Sequence, residues 1–208
     1  MTLHRIGGRS DGGVDLQGWW WLPTSEEALH QDHTHRRRIR VLAQCKAEKK
    51  KISPKYVREM EGVLLHHLLP SPEVDPANLN PDSLPTQDPR DPVVGLFVSS
   101  SPFTKATLLR ATASPLPFML LHIPTPPRAE DDVALPIPPQ EDDPTDSDDD
   151  PELGSIVLNP ALGSSAGLLA GEIEARWEYS QQGPNLARPA LWWKGERIPS
   201  WTPELHHV

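Results

Sequence analysis

Ile39-Arg40-Val41-Leu42-Ala43-Gln44-Cys45-Lys46 decides the fold. Ile39, Val41, Ala43 and Cys45 alternate with Arg40, Leu42, Gln44 and Lys46, the period-two pattern of a strand whose successive side chains face opposite sides of a sheet. The small apolar set is expected to pack into a core, with Cys45 as a buried core residue; a reactive thiol is the alternative reading. Gln44 and Lys46 then share the other face, and at the strand's C-terminal end they point to where a ligand can sit.

Toward the N-terminus, Leu3 to Ile6 reads as a short strand that ends at Gly7-Gly8, and Val14 to Leu22 as a second strand ended by Pro23. The glycines of Gly7-Gly8 and Gly12-Gly13 permit the tight turns of a connecting loop. Trp19-Trp20-Trp21 suits a pleated surface. Thr24 to His35 is a polar connection carrying His30, His33 and His35. A zinc site there is the sharper reading, and histidines scattered through a loop with no cysteine nearby the plainer one. Arg36-Arg37-Arg38, directly before the central strand, is either a solvated basic edge or a set of phosphate contacts.

Toward the C-terminus, Lys49, Lys50 and Lys51 form a basic loop. Ser53 is a candidate N-cap and Pro54 fits the first helical position, so the spacing of Val57, Met60, Leu64 and Leu68 predicts an amphipathic helix over Pro54–Leu69. Seven prolines in residues 70–92 mark a long loop or linker. Val93 to Val98 is a buried strand by its continuous apolar run. Pro102 to Ala113, capped by Ser101, is a predicted helix and Leu116 to Ile123 a further strand. Strand, helix, strand at these lengths is a βαβ unit, which predicts a parallel pair within a mixed sheet. Ile156 to Leu162 and Leu168 to Tyr179 read as strand or helix, and Leu191 to Arg197 as a last hairpin or strand. The tryptophans cluster at 19–21 and 177–201, so the two groups are expected to touch, either as ordinary core packing or as a stacking platform for bases.

The chain has 208 residues, with 25 prolines, 13 glycines and only 37% hydrophobic residues. That composition supports one compact core of about 120 to 140 residues. The predicted organisation is a core over residues 1–123 with a Pro-rich loop at 70–92, a disordered acidic insert over 124–155, and a segment over 156–208 that completes the domain. The net charge of −9 hides an asymmetry: eleven acidic residues lie between Glu130 and Glu152, and without them the charge is +2. Residues 1–70 hold twelve Lys or Arg against eight Asp or Glu, which favours an anionic partner for that half. One cysteine excludes an internal disulfide framework and a Cys-rich zinc site. No run of eighteen apolar residues is present, so no membrane span is expected, and the glycine-rich turn at residue 7 leaves no room for a targeting peptide.

An acidic residue on one strand and an x-Lys pair on the next meet the needs of phosphodiester hydrolysis: a divalent cation, and a positive group near the attacked phosphorus. Asp15 is the candidate metal ligand, Gln44 a weaker oxygen ligand through its side-chain carbonyl, and the Cys45 backbone carbonyl a third. Lys46 is placed to orient water and counter charge. Asp11 is a turn residue or a further acid. The expected cofactor is Mg²⁺ or Mn²⁺, and the expected partner is DNA, contacted through Arg36, Arg37, Arg38, Lys49, Lys50 and Lys51.

Gly7-Gly8 through Asp11, Gly13 and Asp15, followed by a strand ending Gln44-Cys45-Lys46, resembles the Mrr-type branch of the PD-(D/E)xK nucleases. More specifically, Arg5-Ile6-Gly7-Gly8, Asp15-Leu16-Gln17-Gly18-Trp19, Gln44-Cys45-Lys46, Ser99-Ser100-Ser101-Pro102-Phe103-Thr104 and Leu158-Asn159-Pro160-Ala161-Leu162 are similar to a fungal mitochondrial family required for respiratory growth. The resemblance implies an α/β restriction-endonuclease-like fold, with a mixed central sheet flanked by helices, and a mitochondrial location. It implies a metal-dependent DNA endonuclease acting in respiratory growth or mitochondrial genome maintenance. The alternative is a non-catalytic nucleic-acid-binding or assembly protein on the same fold. Such nucleases open with a helix carrying a metal-site glutamate; here the first strand comes first, so a shortened gene model is expected.

Overall fold

The computed structural model describes residues 1–6, 13–25, 36–68, 91–124, 154–178 and 188–201. Asp11, the histidines 30, 33 and 35, most of the Pro-rich segment 70–92 and most of the insert 124–155 lie outside the described residues.

Six strands form one sheet in sequence order: β1 (Thr2–Arg5), β2 (Leu16–Pro23), β3 (Arg36–Lys46), β4 (Val93–Ser99), β5 (Phe118–His122) and β6 (Ser155–Leu158). The first three run antiparallel, β3, β4 and β5 run parallel, and β6 returns antiparallel to β5. The parallel pairs are separated in sequence by helices α1 (Pro54–Leu68) and α2 (Lys105–Thr112), as a same-direction crossover requires. The predicted parallel pair and mixed sheet are therefore present. The chain is a mixed α/β protein with mostly strands and few helices.

Both helices pack on one face. Val57, Met60 and Leu64 of α1 and Ala111 of α2 join Leu42, Phe97, Phe118 and Leu120 in one core cluster. The opposite face, with Trp20, Ile39, Val41, Ala43, Val94 and Met119, is covered by Leu162 of the single-turn helix α3 (Pro160–Gly163), by Leu169, and by a second sheet. That sheet is β7 (Ile173–Glu178), β8 (Arg188–Trp193) and β9 (Glu196–Arg197). The β8–β9 hairpin turns at Lys194-Gly195, both at positive φ (50° and 87°), the paired geometry a two-residue hairpin needs. Gly18 in β2 is required by close approach: a Cβ there would stand 1.9 Å from the Thr2 carbonyl oxygen of β1.

Four sequence expectations are corrected. The alternation in β3 divides two cores from each other, since Leu42 packs under α1 while Ile39, Val41 and Ala43 pack on the other side, and Arg40 and Gln44 are themselves buried. Cys45 is exposed, because it stands at the strand's end beyond the side chains that cover Ala43. Helix α2 is capped by Thr104, whose hydroxyl accepts from the Thr107 amide at 3.2 Å. Ser101 instead donates to the Glu48 carbonyl, and Phe103 bridges to Ile52 before the helix starts. In α1, Leu68 is exposed, and Glu61 takes a buried position by pairing with Arg110 of α2.

Leu158-Asn159-Pro160-Ala161-Leu162 holds the sheet edge together. Asn159, 1% exposed, accepts from the Phe118 and Leu162 amides (2.9 and 3.1 Å) and donates to the Ala111 and Leu116 carbonyls (2.9 and 2.8 Å). It caps α3 while tying the end of α2 to the start of β5.

Candidate functional site

Asp15 lies one residue before β2 and engages both neighbours of Gln44. Its amide donates to the Ala43 carbonyl at 2.9 Å, its carbonyl accepts from Ile6 at 3.0 Å, and its carboxylate Oδ2 accepts from the Cys45 amide at 2.7 Å. The carboxylate thus stands in for a backbone acceptor at the end of the β2–β3 ladder. Its other oxygen is the one able to take a cation.

Gln44 is 6% exposed, and its Oε1 is buried without a hydrogen-bond partner. Leaving an amide carbonyl in that condition costs about 1–3 kcal/mol, so its retention in a central strand calls for an explanation. Gly13, at φ 85°, lies against it, since a Cβ there would stand 3.8 Å from Gln44 Nε2. The end of the glycine-rich turn therefore borders this amide.

Lys46 shares the face of Gln44 by strand alternation, and its ammonium stands 5.3 Å from the centre of the Tyr56 ring on the first turn of α1. Lys55 approaches the same ring at 5.9 Å. The ring is seated on Phe97, 5.9 Å between centres, which in turn meets Phe103 at 6.0 Å. The Tyr56 hydroxyl donates to the Glu48 carboxylate, and that bond raises the tyrosine pKa above its ordinary value. The loop carrying Glu48 is fixed from the β4–α2 segment. Ser101 donates to the Glu48 carbonyl, Ile52 donates to Pro102 O at 2.9 Å, and Thr107 Oγ1 donates to Ile52 O at 2.6 Å. The Ser99–Thr104 run thus positions the loop that follows Lys46.

Tyr56 and Glu48 went unnoticed in the sequence. Glu48 had a legible signal, since it continues the two-residue spacing of Gln44 and Lys46; Tyr56 reaches the site only because α1 folds back over β3. The exposed thiol of Cys45 has its pKa pushed up by partial desolvation and by the Asp15 carboxylate, with Lys46 opposing. It is therefore a poor nucleophile at neutral pH.

The lysines and arginines separate. Lys49, Lys50 and Lys51 are exposed immediately beyond Lys46. Arg36, Arg37 and Arg38 occupy the other end of β3, about 25–30 Å away at ~3.3 Å per residue. There Arg38 forms a two-pronged pair with Asp91 (3.1 and 2.7 Å), Arg37 donates to Leu168 O, and Arg36 stacks on Trp201. The structure thus brings Asp15, Gln44, Cys45 and Lys46 together with the lysines, and leaves the arginines apart.

Residues 1–74 match the family described as Required for respiratory growth protein 7. The matched segment holds β1, β2, β3 and α1, and with them Asp15, Gln44, Lys46, Glu48 and Tyr56. The chain is also similar to an uncharacterized mitochondrial protein of Schizosaccharomyces pombe, 38% identical over 64 residues. That alignment covers 31% of this chain and 22% of the relative's length. Both matches are consistent with the mitochondrial localisation expected from the sequence. No solved structure matches. Among the described residues no helix is long and apolar enough to cross a membrane.

As a cation site, the donors are all oxygens: one Asp15 carboxylate oxygen, Gln44 Oε1, and the Cys45 carbonyl, which points to the same strand edge as the Cys45 amide held by Asp15. That set suits Mg²⁺, which keeps several waters and takes one or two carboxylates. The unpaired Gln44 oxygen is the observation that favours the fit. Among the described residues, no group of three or more His, Cys, Asp or Glu side chains converges.

Proposed function

We propose that this is a mitochondrial nuclease-like protein of the PD-(D/E)xK kind, on a restriction-endonuclease-like sheet, hydrolysing DNA phosphodiesters with Mg²⁺ or Mn²⁺. The observation that carries the reading is the buried, unpaired Gln44 Oε1 on the face that presents Lys46, with the Asp15 carboxylate held at the amide of the next residue, Cys45. Asp15, Gln44 and the Cys45 carbonyl would hold the cation, which supplies charge neutralisation and a more acidic water.

The chain's own residues do the rest. Lys46, held beside the Tyr56 ring, places a positive charge where the phosphorane oxygens gain negative charge as the water oxygen bonds to phosphorus and the ester P–O bond breaks. Lys49, Lys50 and Lys51 supply phosphate contacts flanking that point. Asp15, by holding the Cys45 amide, fixes the backbone that carries Gln44 and Lys46.

The test is cleavage of linear and supercoiled DNA with Mg²⁺ or Mn²⁺. Lys46→Ala and Asp15→Asn should each abolish it; cleavage persisting in both overturns the proposal. A second reading, a non-catalytic protein that binds nucleic acid through the same fold, is favoured because, among the described residues, Asp15 is the one carboxylate assigned to the cation. It requires salt-dependent binding with no hydrolysis in the wild-type chain.

A further inference from the structure

The tryptophans of β2 are split by strand alternation. Trp20 is buried in the core, whereas Trp19 and Trp21 face the opposite side and are only half-buried. On that face they belong to a continuous run of rings and guanidinium groups. Arg38 lies over Trp19 at 4.5 Å, Trp19 and Trp21 are 6.5 Å apart, Trp21 and Trp201 are 5.7 Å apart, and Arg36 lies over Trp201 at 4.5 Å. Trp201, Arg36 and Arg38 are also half-buried.

The arrangement comes from three separate parts of the chain. In the β2–β3 register Trp21 pairs with Arg38 and Trp19 with Arg40, so Arg38 reaches Trp19 diagonally, and Trp201 arrives from beyond β9. Arg38 is oriented by Asp91 through both carboxylate oxygens. Arg40, beside Arg38 on the same face of β3, is buried and feels the Asp91 carboxylate as well.

We propose that this Arg–Trp run is a binding surface for single-stranded nucleic acid, separate from the Asp15–Lys46 end of the sheet. Bases stack on indole rings and on guanidinium planes irrespective of sequence, and the Arg36 and Arg38 guanidinium groups already lie over two of these rings. The rings are tilted to one another (46° and 69°), which gives successive unstacked bases separate platforms and gives a stacked duplex none. The surface lies about 20 Å along β3 from Gln44 at ~3.3 Å per residue, on the same sheet face, with α1 packed between. The inference takes only its partner class from the nucleic-acid reading above and needs no hydrolysis.

The test uses the whole chain with labelled twelve-nucleotide oligo-dT, oligo-U and a duplex of equal length, without divalent cation, read by anisotropy and tryptophan quenching. Saturable single-strand binding tighter than duplex binding is expected. Trp19→Ala and Arg36→Gln should each weaken it roughly fivefold or more, with Trp19→Tyr retaining most of it. Lys105→Ala, at the exposed start of α2, should leave it unchanged. The DNA and RNA arms identify the sugar the surface accepts. Absence of saturable binding to either strand overturns the inference, as does binding that the Lys105 variant loses and the Trp19 and Arg36 variants keep. Tryptophan variants that bind normally also overturn it, and cleavage of duplex by those variants would leave the nuclease reading standing.

Discussion

Replacing Gln44 by methionine tests whether the buried amide is kept for a ligand. Methionine matches the length of glutamine without branching, so it fills the same space between β3 and α1 with little rearrangement. In the folded chain Gln44 Oε1 is buried with no partner, and an amide carbonyl in that state costs about 1–3 kcal/mol. Removing it should therefore raise stability by about 1–2 kcal/mol without added cation. That corresponds to a Tm increase of about 2–8 °C for a chain of this size. The measurement is urea unfolding followed by tryptophan fluorescence, checked by thermal melting, with and without 10-fold steps of Mg²⁺. The wild-type chain should gain stability with Mg²⁺ through preferential binding to the folded state, and the Gln44→Met chain should gain less. A variant that loses more than about 1 kcal/mol without cation would refute the reasoning, because the amide would then be satisfied within the protein and no vacancy would need filling.

Three further outcomes follow from individual contacts. Asn159→Ala removes an N-cap and strands buried backbone groups of Phe118, Ala111 and Leu116, which should cost about 4 kcal/mol in urea unfolding; a loss under about 1 kcal/mol would contradict the network. Cys45 should react slowly with iodoacetamide at pH 7.5 and accelerate as pH rises past 9. Asp15→Asn should speed the reaction at fixed pH, because a carboxylate that holds the thiol pKa up is gone. His67, at the end of α1, has its pKa held below 6.5 by burial, then by Arg40 and by His66. Its protonation favours the unfolded chain, so stability present above pH 6.5 should fall as pH drops through that value, and His67→Gln should flatten the fall; an unchanged pH profile would exclude His67 as its source.

The mixed sheet and its parallel pair were legible because β3, β4 and β5 are short runs bounded by clear breakers, with a helix-period segment between each pair. What the pattern of Ile39–Lys46 could not show is that both faces are buried. Alternation of apolar and polar residues reads as core against solvent, yet Arg40 and Gln44 are packed under α1, whose position depends on contacts far away in sequence. The same limit hid Tyr56, brought to Lys46 by the fold of α1 across the sheet. Cys45 was misplaced for the converse reason: the cover over Ala43 comes from residues beyond 160 and stops short of the strand's end. Contact between the two tryptophan groups was expected from clustering alone, and Trp21 with Trp201 supplies it, but the arginines that stack there read in sequence as a solvated edge or as phosphate contacts.

The helix-side face of β3 presents Arg36, Arg38, Arg40, Leu42, Gln44 and Lys46, of which only Leu42 is apolar. A central strand chosen for stability alone would be apolar there, as β4 is with Val93 and Phe97 in the same core cluster. Helix α1 seals the middle, with Val57, Met60 and Leu64 in the core cluster that holds Leu42. Polar groups then remain at the two ends: an unpaired amide with a lysine at one, and arginines stacked on tryptophan at the other. Burial is costly enough at Arg40 to hold its pKa below the ordinary value, against the pull of Asp91. Two polar ends on one strand, retained against that cost, are where the two proposed ligands, a cation at one end and a single strand of nucleic acid at the other, would meet the sheet.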